Sequence, residues 1–264
     1  MRAEESGRPR IVAVSNQKGG VGKTTSVVNL GASLAEMGVP TLIIDLDPQG
    51  NASTGLGFDP AERSASIHDV LSGGKPLAEC LLETATEDLK LVPASPMMSS
   101  ADIEMAKSER RLWFLADALA GEGNGTEALQ YILIDCPPSL GLLTLNALAA
   151  ADSVLVPLQA EFFALEGLSQ LILTIREVRK TANEALAIEG VLLTMFDRRN
   201  NLSRQVERDA REHLRDLVFE TVIPRNVKLG EAPSHGIPAV QYDRNSAGSV
   251  AYRELANEVL RRRP

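Results

Sequence analysis

Residues 16–25, NQKGGVGKTT, hold more chemistry than any other stretch of the chain. Gly19, Gly20 and Gly22, with Val21 among them, let the backbone turn its N–H groups inward, a geometry that cradles phosphate oxygens. Lys23 adds a full positive charge and the start of the following helix a partial one. Thr24 offers a hydroxyl suited to a phosphate-bound magnesium ion, and the helix is expected to begin within the Thr24-Thr25 pair. The common pattern G-x-x-x-x-G-K-[ST] asks for glycine at position 17. Gln17 stands there instead, beside a second lysine, Lys18, so the loop is a variant. A glycine-rich turn that merely joins strand to helix is the bland alternative.

Three acids end apolar runs: Asp45, Asp47 and Asp135. Strand alternation would put Asp45 and Asp47 on one side of their strand, where two carboxylates repel unless a cation lies near them. An open α/β sheet keeps its ligand outside the carboxyl ends of its strands, which is where these acids and the glycine loop would meet. Acids capping helix starts remain the other reading.

The elements that must position these groups are legible as alternating patterns. Apolar, β-branched-rich runs fall at residues 11–15, 41–44, 89–92, 131–134, 154–157, 191–195 and 218–223, and most are apolar throughout, as strands buried on both faces must be. Val27, Leu30, Leu34 and Met37 follow the first run at helical spacing, with Gly38 as a stop. Strand and helix alternate, which predicts an α/β fold: a mostly parallel twisted sheet with helices on both faces. Residues 1–9 read as a flexible tail, residues 122–126 as a surface turn, and residues 10–264 as a single domain.

Composition narrows the function classes. The chain has 264 residues, 44% hydrophobic and 23% charged, which excludes global disorder and coiled coil. No apolar stretch is long enough for a spanning helix, the first ten residues carry no secretory core, and two cysteines are too few for a disulfide framework or a zinc site. A cytoplasmic protein is expected. The net charge of −8 hides an asymmetry: 11 basic against 22 acidic residues through position 175, then 16 against 13. Any contact with a polyanion must therefore use a local patch in the last third.

Residues 18–25 resemble the deviant Walker A loop of the ParA/MinD superfamily of dimerising ATPases. The resemblance continues through residues 45–51 (DLDPQGN), 135–139 (DCPPS), 189–194 (EGVLLT), 223–227 (IPRNV) and 231–236 (EAPSHG), and looks most like the chromosomal ParA, or Soj-type, partitioning ATPases. It implies a P-loop fold that binds ATP and magnesium. It also implies that Asp47 orients the attacking water, that Asp45 and Asp135 hold the magnesium shell with Thr24, and that Pro224, Arg225 and Asn226 pack around adenine. Lys18 would be the signature lysine that crosses a two-fold interface to the partner's ATP, making a homodimer. Taken alone, Lys18 could be a solvated loop lysine, and the Pro-Arg-Asn triplet an ordinary turn.

In the last third, Arg204, Arg208, Arg211 and Arg215 recur at helical spacing opposite an apolar stripe of Val206, Ala210, Leu214 and Leu217. The resemblance places DNA contacts at Arg199 and at position 228, where this chain has Lys228. Glu207 with Arg211 and Arg208 with Glu212 are also i, i+4 pairs, so a salt-bridged solvent face is the rival reading. With aromatics at 4% and no base-reading motif, the expectation is nonspecific, salt-sensitive binding to double-stranded DNA. The resemblance further implies a ParB-like stimulating partner and association with the nucleoid. A MinD-like ATPase that positions a protein or membrane cargo is the alternative. The C-terminal segment argues against membrane binding, since residues 251–264 offer only a narrow apolar face of Leu255, Val259 and Leu260.

Overall fold

The computed structural model describes residues 8–121, 123–161 and 164–262. The strands are β1 (Arg10–Val14), β2 (Thr41–Asp45), β3 (Leu82–Glu83), β4 (Leu89–Val92), β5 (Tyr131–Asp135), β6 (Ser153–Gln159) and β7 (Ala187–Thr194). The helices are α1 (Lys23–Glu36), α2 (Asn51–Gly55), α3 (Ile67–Leu71), α4 (Met98–Met105), α5 (Phe114–Ala120), α6 (Leu142–Ala150), α7 (Ala164–Thr181), α8 (Asn201–Leu214), α9 (Val227–Glu231), α10 (Ala239–Tyr242) and α11 (Ala247–Arg261). Among the described residues they build one seven-stranded sheet in the order β3-β4-β2-β5-β1-β6-β7. Every pairing is parallel except that of β3, a two-residue strand absent from the sequence reading, which runs antiparallel to β4.

The strands are apolar on both sides because both faces are covered. One core holds α1 and α11 against the sheet through Leu30, Leu34, Leu133, Leu192, Phe219 and Leu255. The other lies under α3 to α8, around Ile44, Ile134, Leu148, Leu171 and Ala210. At Gly31 a Cβ would come 2.9 Å from Ile43 Cδ1, so glycine sets how closely α1 approaches β2. Residue Met37 closes α1 and Gly38 leaves it in the left-handed conformation, as the stop signal predicts.

One expectation needs correction. The apolar run at 218–223 is not a strand: one isolated bridge joins Val218 to Val191 of β7, and a second joins Pro224, just past the run, to Phe196, just past β7. Phe219 and Ile223 donate to Val191 and Leu193 of β7, but the N–H groups of Glu220 and Thr221 donate to the Glu258 carboxylate of α11 at 2.8 and 2.9 Å. A side chain from a distant helix has taken the place of a ladder. The tail reading falls mostly on residues 1–7, outside the described residues, as does Glu122 of the proposed surface turn. Arg8 and Pro9 are described: Pro9 is buried and Arg8 pairs with Asp152.

Candidate functional site

β1 ends at Val14, and the chain runs through buried Ser15 and Asn16 into the glycine loop before α1 begins at Lys23. Gly20 and Gly22 both adopt left-handed conformations, with φ of 73° and 87°, which only glycine takes without strain. The loop is fastened on both flanks. Asn16 donates to Pro157 O of β6 at 2.7 Å and accepts from Lys18 N at 3.0 Å. From β7, Thr194 donates its hydroxyl to Val21 O at 2.8 Å.

Strand register brings the acids to this loop. In β5, Asp135 is in register with Val14 of β1 on one side and with Asp45 of β2 on the other. Both acids are fully buried. Burial pushes the Asp45 carboxyl up to about 6, with the nearby Asp47 charge adding to the rise and hydrogen bonds from Ser53 and Asp47 opposing it. Burial, then the Asp45 charge, raises Asp135 well above the usual carboxylate range. The Thr24 hydroxyl and Lys23 draw it back, yet neither Asp135 oxygen has a hydrogen bond of ordinary geometry.

Asp45 is also a helix anchor. One of its oxygens accepts from Ser53 N at 2.8 Å and from Ser53 Oγ at 2.6 Å, in the first turn of α2. It does so from outside the helix, whose N-cap position is Gly50. Asp47 does not end the strand as expected: β2 stops at Asp45, and Asp47 lies in the turn beyond, where Oδ1 accepts from Gln49 N at 3.0 Å. The last ladder bond of β2 runs from Leu46 N to Asp135 O, and past it the chain turns, with Gly50 N closing back on Asp47 O at 2.9 Å.

Lys23 is 7% exposed, and its ammonium donates to Lys18 O at 3.1 Å. Burial lowers its pKa against the pull of Asp135, Cys136 and Asp47. A buried cation whose partner is a single loop carbonyl, beside an acid without hydrogen bonds, is a donor set that fits a phosphate chain and its divalent ion. Among the described residues no group of three or more His, Cys, Asp or Glu could hold a metal unaided, so magnesium here would need phosphate oxygens as well.

Next to Gly22 and Thr25 opens a cavity of about 240 Å³ lined by Thr194, Met195, Pro224, Arg225 and Asn226. The sequence placed the Pro-Arg-Asn triplet here only through family resemblance, and missed Met195, whose φ of 50° is rare for a side-chain-bearing residue. Asn226 Oδ1 accepts from Lys228 N at 2.8 Å and caps α9, which leaves its amide Nδ2 as the group available to a base.

Lys18 is half-exposed and paired with Glu161 at 2.9 Å. Along α8 the arginines divide. Arg199, just before the helix, is 93% exposed, and Arg204 and Arg208 are exposed as well. Arg211 is different: it bonds Glu207 and the carbonyls of Phe219 and Glu220, so it braces the 218–223 segment. The Glu207–Arg211 pair forms, whereas no Arg208–Glu212 pair does among the described residues. Leu217 is not part of the buried stripe; α8 ends at Leu214 and Leu217 is 39% exposed. Lys228 is paired with Glu231 at 2.8 Å and lies over the Tyr242 ring.

Comparison with known proteins agrees with this geometry. The chain matches the AAA domain family over residues 9–188. It is 52% identical over 254 residues to the chromosome partitioning protein ParA of Caulobacter vibrioides, covering 96% of this chain and 94% of that one. It belongs to the ParA/Soj family of chromosome-partitioning ATPases. A second ParA/Soj relative, the sporulation initiation inhibitor protein Soj of Bacillus subtilis, is 50% identical over 95% of this chain and 98% of its own. Among solved structures, cobyrinic acid a,c-diamide synthase from Mycobacterium smegmatis, with bound ATP analog and magnesium, superposes with a TM-score of 0.82. It is 38% identical over 96% of this chain and 95% of that one. The ParA/Soj fold thus recurs in a protein that holds a triphosphate analogue and magnesium.

Proposed function

We propose that this chain is a weak ATPase, stimulated by DNA and a ParB-like partner, that dimerises on ATP, binds nonspecific double-stranded DNA as the dimer, and drives chromosome or plasmid partitioning. Residues 10–264 would act as one ATPase domain in the cytoplasm, associated with the nucleoid. The reading rests chiefly on the register that sets Asp135 between Asp45 of β2 and Val14 of β1, at the mouth of the glycine loop.

On ATP binding, Lys23 would leave the Lys18 carbonyl for the β- and γ-phosphates, exchanging a neutral acceptor for charged ones. Backbone N–H groups of residues 18–25 would cradle the phosphate chain, and Pro224, Arg225 and Asn226 the base. Bound magnesium would neutralise charge on the phosphate oxygens, with the Thr24 hydroxyl, Asp135 and Asp45 as its side of the protein. Asp47, 7% exposed and in a turn rather than a strand, would orient water for in-line attack. Lys18 would exchange Glu161 for the ATP of the second subunit, adding positive charge where charge develops. Arg199, Arg204 and Arg208, with Arg198, would neutralise DNA phosphates, and Lys228 could join only by leaving Glu231. Dimerisation doubles this patch and so raises avidity.

The apolar face of α11 packs on the core, which does not favour the membrane-directed alternative. No described helix is long and apolar enough to cross a membrane, and α11 buries Leu255, Ala256 and Val259 in the core.

The test is DNA binding with ATP, with ADP and without nucleotide across a salt series, alongside sedimentation with a nonhydrolysable analogue. Binding should require ATP, and Arg199→Ala should weaken it and flatten the log–log salt slope by about one per subunit. Lys18→Gln should bind nucleotide yet remain monomeric. A wild-type monomer at saturating analogue would overturn the scheme.

A further inference from the structure

The turn that carries Asp47 is gripped from two sides. From inside, Asp45 holds Ser53 of α2. From outside, Arg63 reaches back from beyond the one-turn helix Pro60–Glu62, itself fixed by a reciprocal cap between Asp59 and Glu62. Its Nη2 donates to Thr54 Oγ1 at 2.8 Å, to Phe58 O at 2.8 Å and to Gly50 O at 3.3 Å, and its Nε adds a bond to Phe58 O at 3.2 Å. These acceptors mark the entry, body and exit of α2.

Gly50 links the clamp to the acid. Its N–H closes the turn onto Asp47 O at 2.9 Å, and its φ of 65° is left-handed. A Cβ at this position would lie 2.3 Å from Arg63 Nη1, so the guanidinium lies directly against the backbone of the turn. Arg63 is also drawn out of water: burial lowers its pKa, against the charges of Asp45 and Asp59. Several charge-assisted donors from one rigid fork give a direction as well as an energy, which a lysine ammonium at the same place could supply only in part.

We propose that Arg63 is a positioning residue for ATP hydrolysis, a clamp that fixes the residue 47–50 turn and thereby the Asp47 carboxylate. The proposal rests on the ATPase reading above. Arg63 binds neither phosphate nor base in this scheme; it acts on turnover through Asp47. A purely structural arginine would change stability and leave the ratio of turnover to nucleotide affinity alone.

The experiment uses the full chain with ATP, magnesium and duplex DNA, and measures kcat, KM and the Kd of a fluorescent ATP analogue. The variants are Arg63→Ala, Arg63→Lys, Thr54→Val and Asp47→Ala. Because a small displacement of a reacting group can cost up to a hundredfold in rate, Arg63→Ala should lower kcat about tenfold with analogue Kd within about twofold of wild type. Arg63→Lys should recover part of that loss, and Thr54→Val, which removes one acceptor, should lower kcat by about threefold. A folded Arg63→Ala protein with wild-type kcat, or with a loss confined to KM and Kd, overturns the proposal. Should Arg63→Ala not fold, Thr54→Val decides, and an unchanged kcat there overturns it. If Asp47→Ala keeps wild-type turnover, the underlying assignment of Asp47 fails and the role of Arg63 falls with it; if Asp47→Ala is inactive while the Arg63 and Thr54 variants are normal, only the clamp is wrong.

Discussion

The two ends of the sheet handle the same kinds of charge in opposite ways. Along the amino ends of β1, β6 and β7, Arg10 meets Glu189 at 2.6 Å, Ser153 donates to the same carboxylate oxygen at 2.6 Å, Arg8 pairs with Asp152, and Asp152 accepts from Ile11 N at 2.8 Å. At the carboxyl ends of β1, β2 and β5, Asp45 and Asp135 stand side by side. Among the described residues no ion pair joins Lys23 to Asp45, Asp47 or Asp135. The first arrangement binds strands together. The second keeps desolvated acids near one another without ion pairs, so that burial raises their pKa values instead, a state that makes sense where a cation and a charged ligand complete the set.

The sharpest break of this comparison comes from Asp135→Asn. If the carboxylate belongs to the phosphate site, ATP hydrolysis should fall by at least about a hundredfold, in the range seen when a positioned charge is removed from a phosphoryl-transfer site. The nucleotide-free protein should at the same time be no less stable, because the buried Asp135 carboxyl makes no hydrogen bond of ordinary geometry that an amide of the same shape would lose. Turnover and thermal unfolding measured on one preparation check both halves. A less stable variant that still hydrolyses ATP would mean that Asp135 is a structural acid like Glu189.

The carboxyl end, where the proposed site lies, is the part the sequence announces most plainly, and the reason is physical. A phosphate cradle must be built from consecutive residues, so residues 16–25 appear as one contiguous signal, and the acids of parallel strands fall where apolar runs end. Groups that act from a distance leave no such mark. Nothing in the run 218–223 tells that Glu258, far along the chain, takes two of its N–H groups and prevents a strand. Helical spacing sets Arg208 and Arg211 on one stripe alike, yet only Arg211 reaches the carbonyls of Phe219 and Glu220. Arg63 reads as one arginine in a polar loop, and Ser53 as one small residue among several, until folding sets Arg63 against Thr54 and Asp45 against Ser53 of α2.

Arg10→Ala probes the opposite end. It leaves the Glu189 carboxylate, 7% exposed, with only Ser153 as a partner, and removing one member of a largely buried pair costs about 3 kcal/mol. Chemical denaturation should show that loss while kcat for ATP stays at the wild-type value, since Arg10 is at the far end of β1 from the glycine loop. A change in kcat larger than the change in folded fraction would show that the two ends are coupled.

The dependence of stability on pH in nucleotide-free, chelator-treated protein leaves turnover aside and separates the two kinds of carboxylate by sign. For Glu258, burial raises the pKa, but the N–H groups of Thr221 and Glu220, the Thr221 hydroxyl and Arg262 outweigh it and hold the folded value below the ordinary one. Its contribution is therefore present above the unfolded pKa, near 4.5, and is lost as pH falls through the lower folded value. Asp45 has the reverse sign. With a folded pKa of about 6 against 3.8 unfolded, the folded state holds a proton that the unfolded chain releases. Stability then declines as pH rises between those values, by about 3 kcal/mol. Glu258→Gln should flatten the acid limb, and Asp45→Asn the decline between about pH 4 and 6. If both substitutions flatten the same limb, Asp45 is held as a paired structural anion through Ser53, and the contrast between the two ends of the sheet reduces to Asp135 and Lys23 alone.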